Sequence, residues 1–263
     1  MPEGHLIHRV ADDHQIFVGA TVKVRSPDGR FMFGAEELDS QTLQSVDAWG
    51  KHLLYQFKPK TLHIHLGLEG SIRFRKAHTL HEDQRARLLV QDERTGDSFL
   101  LYNPLHCELL SSFARKDLIR RLGPDLLRPD ADPEITWTLM QRSQAGLGEF
   151  LLDQSCISGI GNIYRSEILF LLRMHPHRRA GSLTREEFDT LWRLAADLLE
   201  VGRHHNAIIT ASPKRLGKPR EQMHRSERVL VYRKRECPDC GALLTVERIA
   251  NRTAWFCERC QSG

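Results

Sequence analysis

Four cysteines near the C-terminus have the residue type and the spacing to hold a metal ion. In "CPDCGALLTVERIANRTAWFCERC", Cys237 and Cys240 form one C-x2-C pair and Cys257 and Cys260 a second, with sixteen residues between them. Each pair places two thiolates on one tight knuckle, and two knuckles close a tetrahedron around one Zn²⁺. Pro238 and Gly241 are the turn residues such knuckles use. Four thiolates leave no open coordination position, so this zinc is expected to be structural. A redox pair or disulfides fit a doubled C-x2-C less well in a chain with no export signal. Cys107 and Cys156 stand singly in apolar surroundings and are expected to be buried, reduced thiols.

The other end, "MPEGHLIHRV", sets Pro2 directly before Glu3. A proline in a first helical turn is ordinary, because its missing N–H would have no helical partner there, and an acidic residue suits the positive helix end. On these letters alone a helix start accounts for both residues; a free secondary amine beside a carboxylate is the chemical alternative. Two further features suit phosphate. Arg248 and Arg252 flank the predicted hairpin tip as paired guanidiniums. In "SCISGIGN", Gly159 and Gly161 permit a tight turn, and Asn162 is placed to cap "IYRSEILFLL", leaving backbone N–H groups exposed at a helix N-terminus. Solvated arginines and a plain helical hairpin are the other readings.

These residues must be positioned by elements legible in the pattern. Leu6, Ile7, Val10, Ala11 and Phe17 predict a short helix within residues 3–17. From Thr21 to about Ser112 the texture is of strands: "TVKVRS", "HLLYQF", "TLHIHLGL", "SIRFR", "ARLLVQD", "SFLLYN" and "CELLSS" are short and separated by turn residues, which predicts a sandwich or barrel. Beyond Arg115 the texture is helical; "KDLIRRLG" ends at a glycine and "PDLLRPDADPE" reads as a hinge. Thr184-x-x-Glu187 is a capping box opening a helix with Phe188, Leu191, Trp192, Ala195, Leu198 and Leu199 along one face. "ALLTVERIANRTAWF" alternates and breaks at Ala250-Asn251, as a hairpin does. The expected fold class is α+β: a β domain over 1–115, a helical domain over 130–228 and a zinc hairpin over 229–263.

The chain has 263 residues, a 40% hydrophobic share that can build real cores, and a net charge of +4. No stretch has the apolar length of a membrane span, so a soluble, cytoplasmic protein is expected. Basic residues gather in "SPKRLGKPREQMHRSERVLVYRKREC", which suits a polyanionic partner or a solvated loop.

"LLDQSCISGIGNIYRSEILF" resembles the helix–two-turns–helix signature of the formamidopyrimidine-DNA glycosylase and endonuclease VIII family. That family pairs the motif with an N-terminal "PE", exposed by removal of Met1, and with a four-cysteine zinc hairpin; this sequence has all three in order. "AWGKHLLYQF" places Lys51 where the family has a functional lysine, and "NRTAWFCERCQ" places Arg252 at the position of the hairpin arginine. The start "PEG" resembles endonuclease VIII, whereas "PEL" is common in the formamidopyrimidine branch. That branch also carries an Asp-Pro-Arg-Arg-Phe stretch, where "YNPLHCELL" here supplies Leu105, His106 and Cys107. Leu6 stands where many relatives have a second glutamate. In "HLGLEGS", Leu68 and Glu69 match a loop that supplies a wedge; a core leucine at a strand end is the other reading of Leu68.

The resemblance implies an N-terminal β-sandwich with a short leading helix, a helix–two-turns–helix domain and a zinc hairpin. It implies a bifunctional DNA glycosylase and abasic-site lyase with Pro2 as nucleophile and Glu3 as proton carrier. Lys51 and Arg252 complete the catalytic set by clamping phosphates; Asn162, Gly161 and Leu68 bind DNA; Cys237, Cys240, Cys257 and Cys260 hold one zinc. The implied partner is damaged double-stranded DNA, met by a monomer in the cytoplasm, at the nucleoid if bacterial. Oxidised pyrimidines are the expected substrates. An 8-oxoguanine glycosylase of the same family, a damage-binding protein without turnover and a zinc-containing DNA-binding regulator are the alternatives.

Overall fold

The computed structural model describes residues 2–77 and 83–261, so Met1, whose removal the resemblance requires, lies outside the described residues. The chain forms two compact units, one of residues 1–2 and 7–121, the other of residues 3–6 and 122–263.

The first unit is a β-sandwich. One antiparallel sheet has the order β1-β6-β7-β5, built from β1 (Val22–Arg25), β5 (Ser71–Arg75), β6 (Leu88–Asp92) and β7 (Ser98–Tyr102). The other has the order β2-β3-β4-β8, from β2 (Ser45–Trp49), β3 (His52–Gln56), β4 (Thr61–His65) and β8 (His106–Leu110). Alternate residues point into one core: Val22 and Val24, Leu53 and Tyr55, Leu62 and Ile64, Leu88 and Val90, Phe99 and Leu101. The apolar runs in β6 and β7 arise because their other face is also covered, where Leu89 and Leu100 pack with Ala86. The unit also carries most of α1 (Gly4–Asp13), with α2 (Met32–Leu38) and α3 (Ser112–Arg120).

Two elements here were not legible. The β2 segment "SVDAW" has only Val46 and Ala48 as buried residues and an aspartate between them, too weak a pattern to read as a strand by itself. The short α2 segment buries only Ala35 and Leu38 and leaves Phe33 exposed. Cys107 and Cys156 are half-buried, not buried as expected. Cys107 lies on β8 at the edge of its sheet, where burial still pushes its thiol up to about 12.

The second unit contains α4 (Pro133–Arg142), α5 (Leu147–Phe150), α6 (Asn162–Leu171), α7 (Arg185–His205), α8 (Pro213–Leu216) and the hairpin β9 (Thr245–Ile249) and β10 (Arg252–Phe256). The segment read as a hinge ends inside α4, whose N-terminus Asp132 caps by accepting from Glu134 N–H at 2.9 Å. The capping box of α7 forms as expected: Glu187 N–H donates to Thr184 Oγ1 at 3.2 Å and Thr184 N–H to Glu187 Oε2 at 2.8 Å. Phe188, Leu191, Ala195, Leu198 and Leu199 pack on Tyr164, Ile168 and Leu169 of α6 in one core. The hairpin turns at Ala250 and Asn251, at φ 49° and 59°, with Ile249 paired to Arg252. Two consecutive left-handed residues match the twist of the flanking strands. Among the described residues no helix is long and apolar enough to cross a membrane.

Candidate active site and nucleic-acid interface

The four C-terminal cysteines converge. Their sulfurs all lie within 4.8 Å of one another, with Cys237 Sγ 3.7 Å from Cys260 and Cys240 Sγ 3.6 Å from Cys257. Sulfurs at the corners of a zinc tetrahedron are about 3.8 Å apart, given a Zn–S bond near 2.3 Å. The donor set therefore fits Zn²⁺. The knuckles are held from outside by Gln261, whose Oε1 accepts from Cys257 N–H at 2.8 Å while its Nε2 donates to Met174 O at 2.9 Å. Asp239, between the first two cysteines, pairs with both Arg173 and Arg215. These contacts fasten the cysteine knuckles to the segment that follows α6 and to α8.

The N-terminal segment docks on the glycine turn. Gly4 N–H donates to Gly159 O at 2.9 Å, and a Cβ on Gly4 would stand 2.7 Å from Gly159 Cα. Gly159 is at φ 99°, a left-handed position that favours glycine. This close backbone approach delivers Glu3, which is fully buried, to the N-terminus of α6. Its Oε2 accepts from Gly161 N–H at 2.9 Å and Tyr164 N–H at 3.4 Å, and its Oε1 from Ile163 N–H at 2.9 Å. Acceptance from backbone donors at the positive end of a helix suits an ionised carboxylate. The expectation that these N–H groups stand exposed for phosphate is thereby corrected: Glu3 occupies them. A second correction concerns the cap. Gly161 holds the N-cap position and Asn162 is the first helical residue. Asn162 instead donates its Nδ2 to Thr253 O at 2.8 Å, and so binds the helix to the hairpin.

Pro2 is half-buried and precedes the first helical residue, Gly4, by two positions. It is not at the first helical position, so its stiffness does not set the helix. Arg252 opens β10 and is exposed, as is Arg248 across the turn. Behind them lies a residue that sequence reasoning passed over. Arg165 is 1% exposed, and its guanidinium donates to Gly148 O, Ile249 O, Asn162 Oδ1, Arg252 O and Thr253 O. A charge inside the apolar stripe of "NIYRSEILFLL" was the available signal. Glu167, two residues on, is also buried and accepts from Thr210 Oγ1 and from the N–H groups of Leu230, Val231 and Tyr232, which ties that loop to α6.

Lys51 and Leu68 belong to the first unit. Lys51 sits with Gly50, at φ 57°, in the two-residue turn between β2 and β3. Leu68 lies in the turn between β4 and β5 and is 52% exposed, so it is not a core leucine. Leu105, 63% exposed, is its neighbour in construction: Leu105 N–H donates to His65 O at 2.8 Å, and a Cβ on Gly67 would meet Leu105 Cβ at 2.8 Å. The outer face of β3, β4 and β8 carries a histidine cluster whose alternation was visible in "TLHIHLGL" but whose convergence was not. His52 Nδ1 lies 2.9 Å from His63 Nε2, and His63 Nδ1 2.9 Å from Glu108 Oε1. Burial, then the neighbouring histidines and Lys51, pull His52 down to about 3 and His65 to about 4, so both rings are neutral at pH 7.

Comparison with known proteins identifies the class to which this β-sandwich and helical unit belong. Residues 1–99 match the formamidopyrimidine-DNA glycosylase N-terminal domain and residues 122–213 the formamidopyrimidine-DNA glycosylase H2TH domain. Endonuclease 8 1 of Mycobacterium tuberculosis is 35% identical over 100% of both chains. The formamidopyrimidine-DNA glycosylase of Thermomicrobium roseum is 31% identical over 86% of this chain and 84% of its own. In fold, the chain superposes on Lactococcus lactis Fpg in complex with DNA containing an abasic site, with a TM-score of 0.79, 23% identity and full coverage of both. The chain belongs to the formamidopyrimidine-DNA glycosylase and endonuclease VIII family, and it is a DNA glycosylase of base excision repair.

Proposed function

We propose that the protein binds damaged duplex DNA, excises oxidised pyrimidines and then nicks the strand, using the amine of Pro2 once Met1 has been removed. The observation that carries this reading is the docking of Glu3: three backbone N–H groups hold its carboxylate directly beside that amine in sequence. An α-amine with a pKa of about 8 is nucleophilic in larger part at neutral pH than a lysine of about 10.4. The Pro2 nitrogen bonds to C1′ of an extruded nucleotide as the C1′–base bond breaks and the base leaves with the bonding electrons, to be protonated by water. The Glu3 carboxylate takes the N–H proton of the substituted Pro2 and delivers it to the ring oxygen as the sugar opens. The resulting iminium is cationic at any pH and acidifies the C2′ proton; its loss expels the 3′ phosphate, and a second elimination releases the 5′ phosphate. Lys51, Arg252 and Asn162 hold flanking phosphates, and Leu68 enters the gap left by the base. The zinc, bound by Cys237, Cys240, Cys257 and Cys260, stiffens the hairpin that presents Arg252 and does no chemistry itself.

Preference for pyrimidines rests on Leu105, His106 and Cys107 standing where the oxidised-purine branch has its Arg-Arg-Phe. Borohydride trapping on abasic DNA tests the mechanism: the adduct is expected at the N-terminal residue, and an uncleavable extra residue ahead of Pro2 is expected to abolish it while sparing DNA binding. An adduct mapped to Lys51 in the unmodified protein overturns the assignment of Pro2. Side-by-side kinetics test the substrate, and faster cutting of 8-oxoguanine opposite cytosine than of thymine glycol or dihydrouracil overturns the pyrimidine reading.

A further inference from the structure

We infer that His52 is a further phosphate-holding residue: a hydrogen-bonded relay from Glu108 through His63 makes its Nε2 atom the proton-accepting end, and DNA binding protonates it there. The inference rests on the reading of Lys51, its neighbour in the chain, as a phosphate contact. Geometry fixes every proton in the relay. Glu108 Oε1 lies 2.9 Å from His63 Nδ1, and a carboxylate oxygen only accepts, so Nδ1 carries the hydrogen. In the neutral ring His63 Nε2 is then an acceptor, and His52 Nδ1, 2.9 Å away, donates to it. His52 Nε2 is left as a nitrogen without a proton. The strand register directs it. His52 opens β3 after the turn of Gly50 and Lys51, opposite Trp49 and His65, whereas His63 stands opposite Leu54, further from that turn. With Nδ1 turned toward His63, Nε2 on the other side of the ring is turned toward the end of the sheet that carries Lys51.

The charged and titratable groups around this ring are Lys51 from its own turn, His63 and His65 from β4, and His106 and Glu108 from β8. On β2, Asp47 pairs with Arg115 of α3 at 3.8 Å. Burial first, and then the three histidines and Lys51, hold His52 down to about 3 in the free protein. Its neighbours are poor places for an added proton. One at His63 Nε2 would set two N–H groups head to head with His52, and one at His65 Nδ1 would oppose the Gly67 N–H that donates to it at 3.1 Å. His52 gains a proton at Nε2 with each of these bonds kept. A phosphate supplies the charge that makes this favourable, since a unit negative charge at about 4 Å near a protein surface raises proton affinity about a thousandfold. The imidazolium then donates Nε2–H to a phosphate oxygen, and Glu108 balances the far end of the relay.

The test uses full-length, zinc-loaded protein and a duplex with a stable abasic-site analogue. Calorimetry in two buffers of different ionisation enthalpy reads the protons taken up on binding, and titrations at pH 8 and pH 5.5 read the affinity. A thousandfold gain over a starting value of about 3 leaves His52 half-protonated in the complex near pH 6. His52→Gln is therefore expected to take up about 0.5 proton fewer than wild type at that pH, and its affinity gain from pH 8 to pH 5.5 to be about fourfold smaller. Glu108→Gln, at an exposed position, removes the charge at the far end of the relay and is expected to lower the uptake in the same direction; it serves as the readout if His52→Gln fails to fold. Wild-type uptake in folded His52→Gln overturns the assignment of His52, and wild-type uptake in Glu108→Gln overturns the relay. Lys51→Ala tests the underlying reading separately, through a log–log salt slope expected to fall by about 1. An unchanged slope there overturns the phosphate contact at Lys51, and with it the role of His52.

Discussion

Replacing Gly161 by alanine isolates the docking of Glu3 from everything else in the site. The backbone at Gly161, φ −122° and ψ −163°, is extended and open to alanine, so the substitution adds no backbone strain. The new Cβ would, however, stand 2.5 Å from Glu3 Cδ and 2.7 Å from Cγ. Carbon atoms in contact prefer about 3.5–4.0 Å, so the carboxylate must move by about 1 Å. Such a shift breaks or stretches hydrogen bonds that are 2.9, 2.9 and 3.4 Å long. Hydrogen bonds to a charged group are worth about 1.5–3 kcal/mol each, and partial relaxation leaves a loss of about 3 kcal/mol as the expected value. For a chain of this size that lowers the melting temperature by about 6–12 °C. Misplacing a proton carrier by about 1 Å costs on the order of 100-fold in rate, read as single-turnover excision of an oxidised pyrimidine. Glu3→Ala removes the atoms that clash, so the double variant Glu3→Ala/Gly161→Ala should be no less stable than Glu3→Ala alone. Wild-type excision by Gly161→Ala, or additive destabilisation in the double variant, would refute the docking argument.

Other outcomes follow from the same geometry. Cys257→Ser is expected to lose the zinc and weaken DNA binding while the β-sandwich keeps its own unfolding transition; active, fully reduced protein without metal would contradict this. Glu3→Gln offers one acceptor oxygen where two now serve three donors, and it should impair excision of a damaged base more than cleavage at a preformed abasic site, as rates on the two substrates will show. Acid should destabilise the sandwich through His14, which is 2% exposed and held by burial at about 4 against 6.5 when unfolded. The unfolded chain then binds the extra proton, so this stability is complete above pH 6.5 and is lost as pH falls toward 4, by about 3 kcal/mol in all. Denaturant melts from pH 7.5 to 4.5 measure it, and a flat profile in that range would remove His14 from the account.

What the sequence determined alone was whatever depends on neighbours in the chain. The two C-x2-C knuckles, the Thr184–Glu187 capping box and the turn at Ala250-Asn251 are each closed within a few residues, so residue type and spacing suffice to specify them. The alternation of β1 and β4 was legible for the same reason, since a strand with one face on a core writes its period into the chain. The β2 strand was not, because its partner β3 and the core beneath it supply what its own residues lack.

The site itself was decided by tertiary structure. Glu3 meets Gly161 across 158 residues, and Arg165 meets the hairpin across 84 to 88. No local pattern records which donor a buried charge will find at such separations. Local chemistry pointed the wrong way at Asn162, where a good capping residue entered the helix because a carboxylate from the far end of the chain already satisfied the N–H groups it would have capped. A carboxylate answers several donors at the positive end of a helix at once, which one amide oxygen cannot do. Residue type and spacing single out candidates; the long-range hydrogen bonds of the fold decide which of them touch.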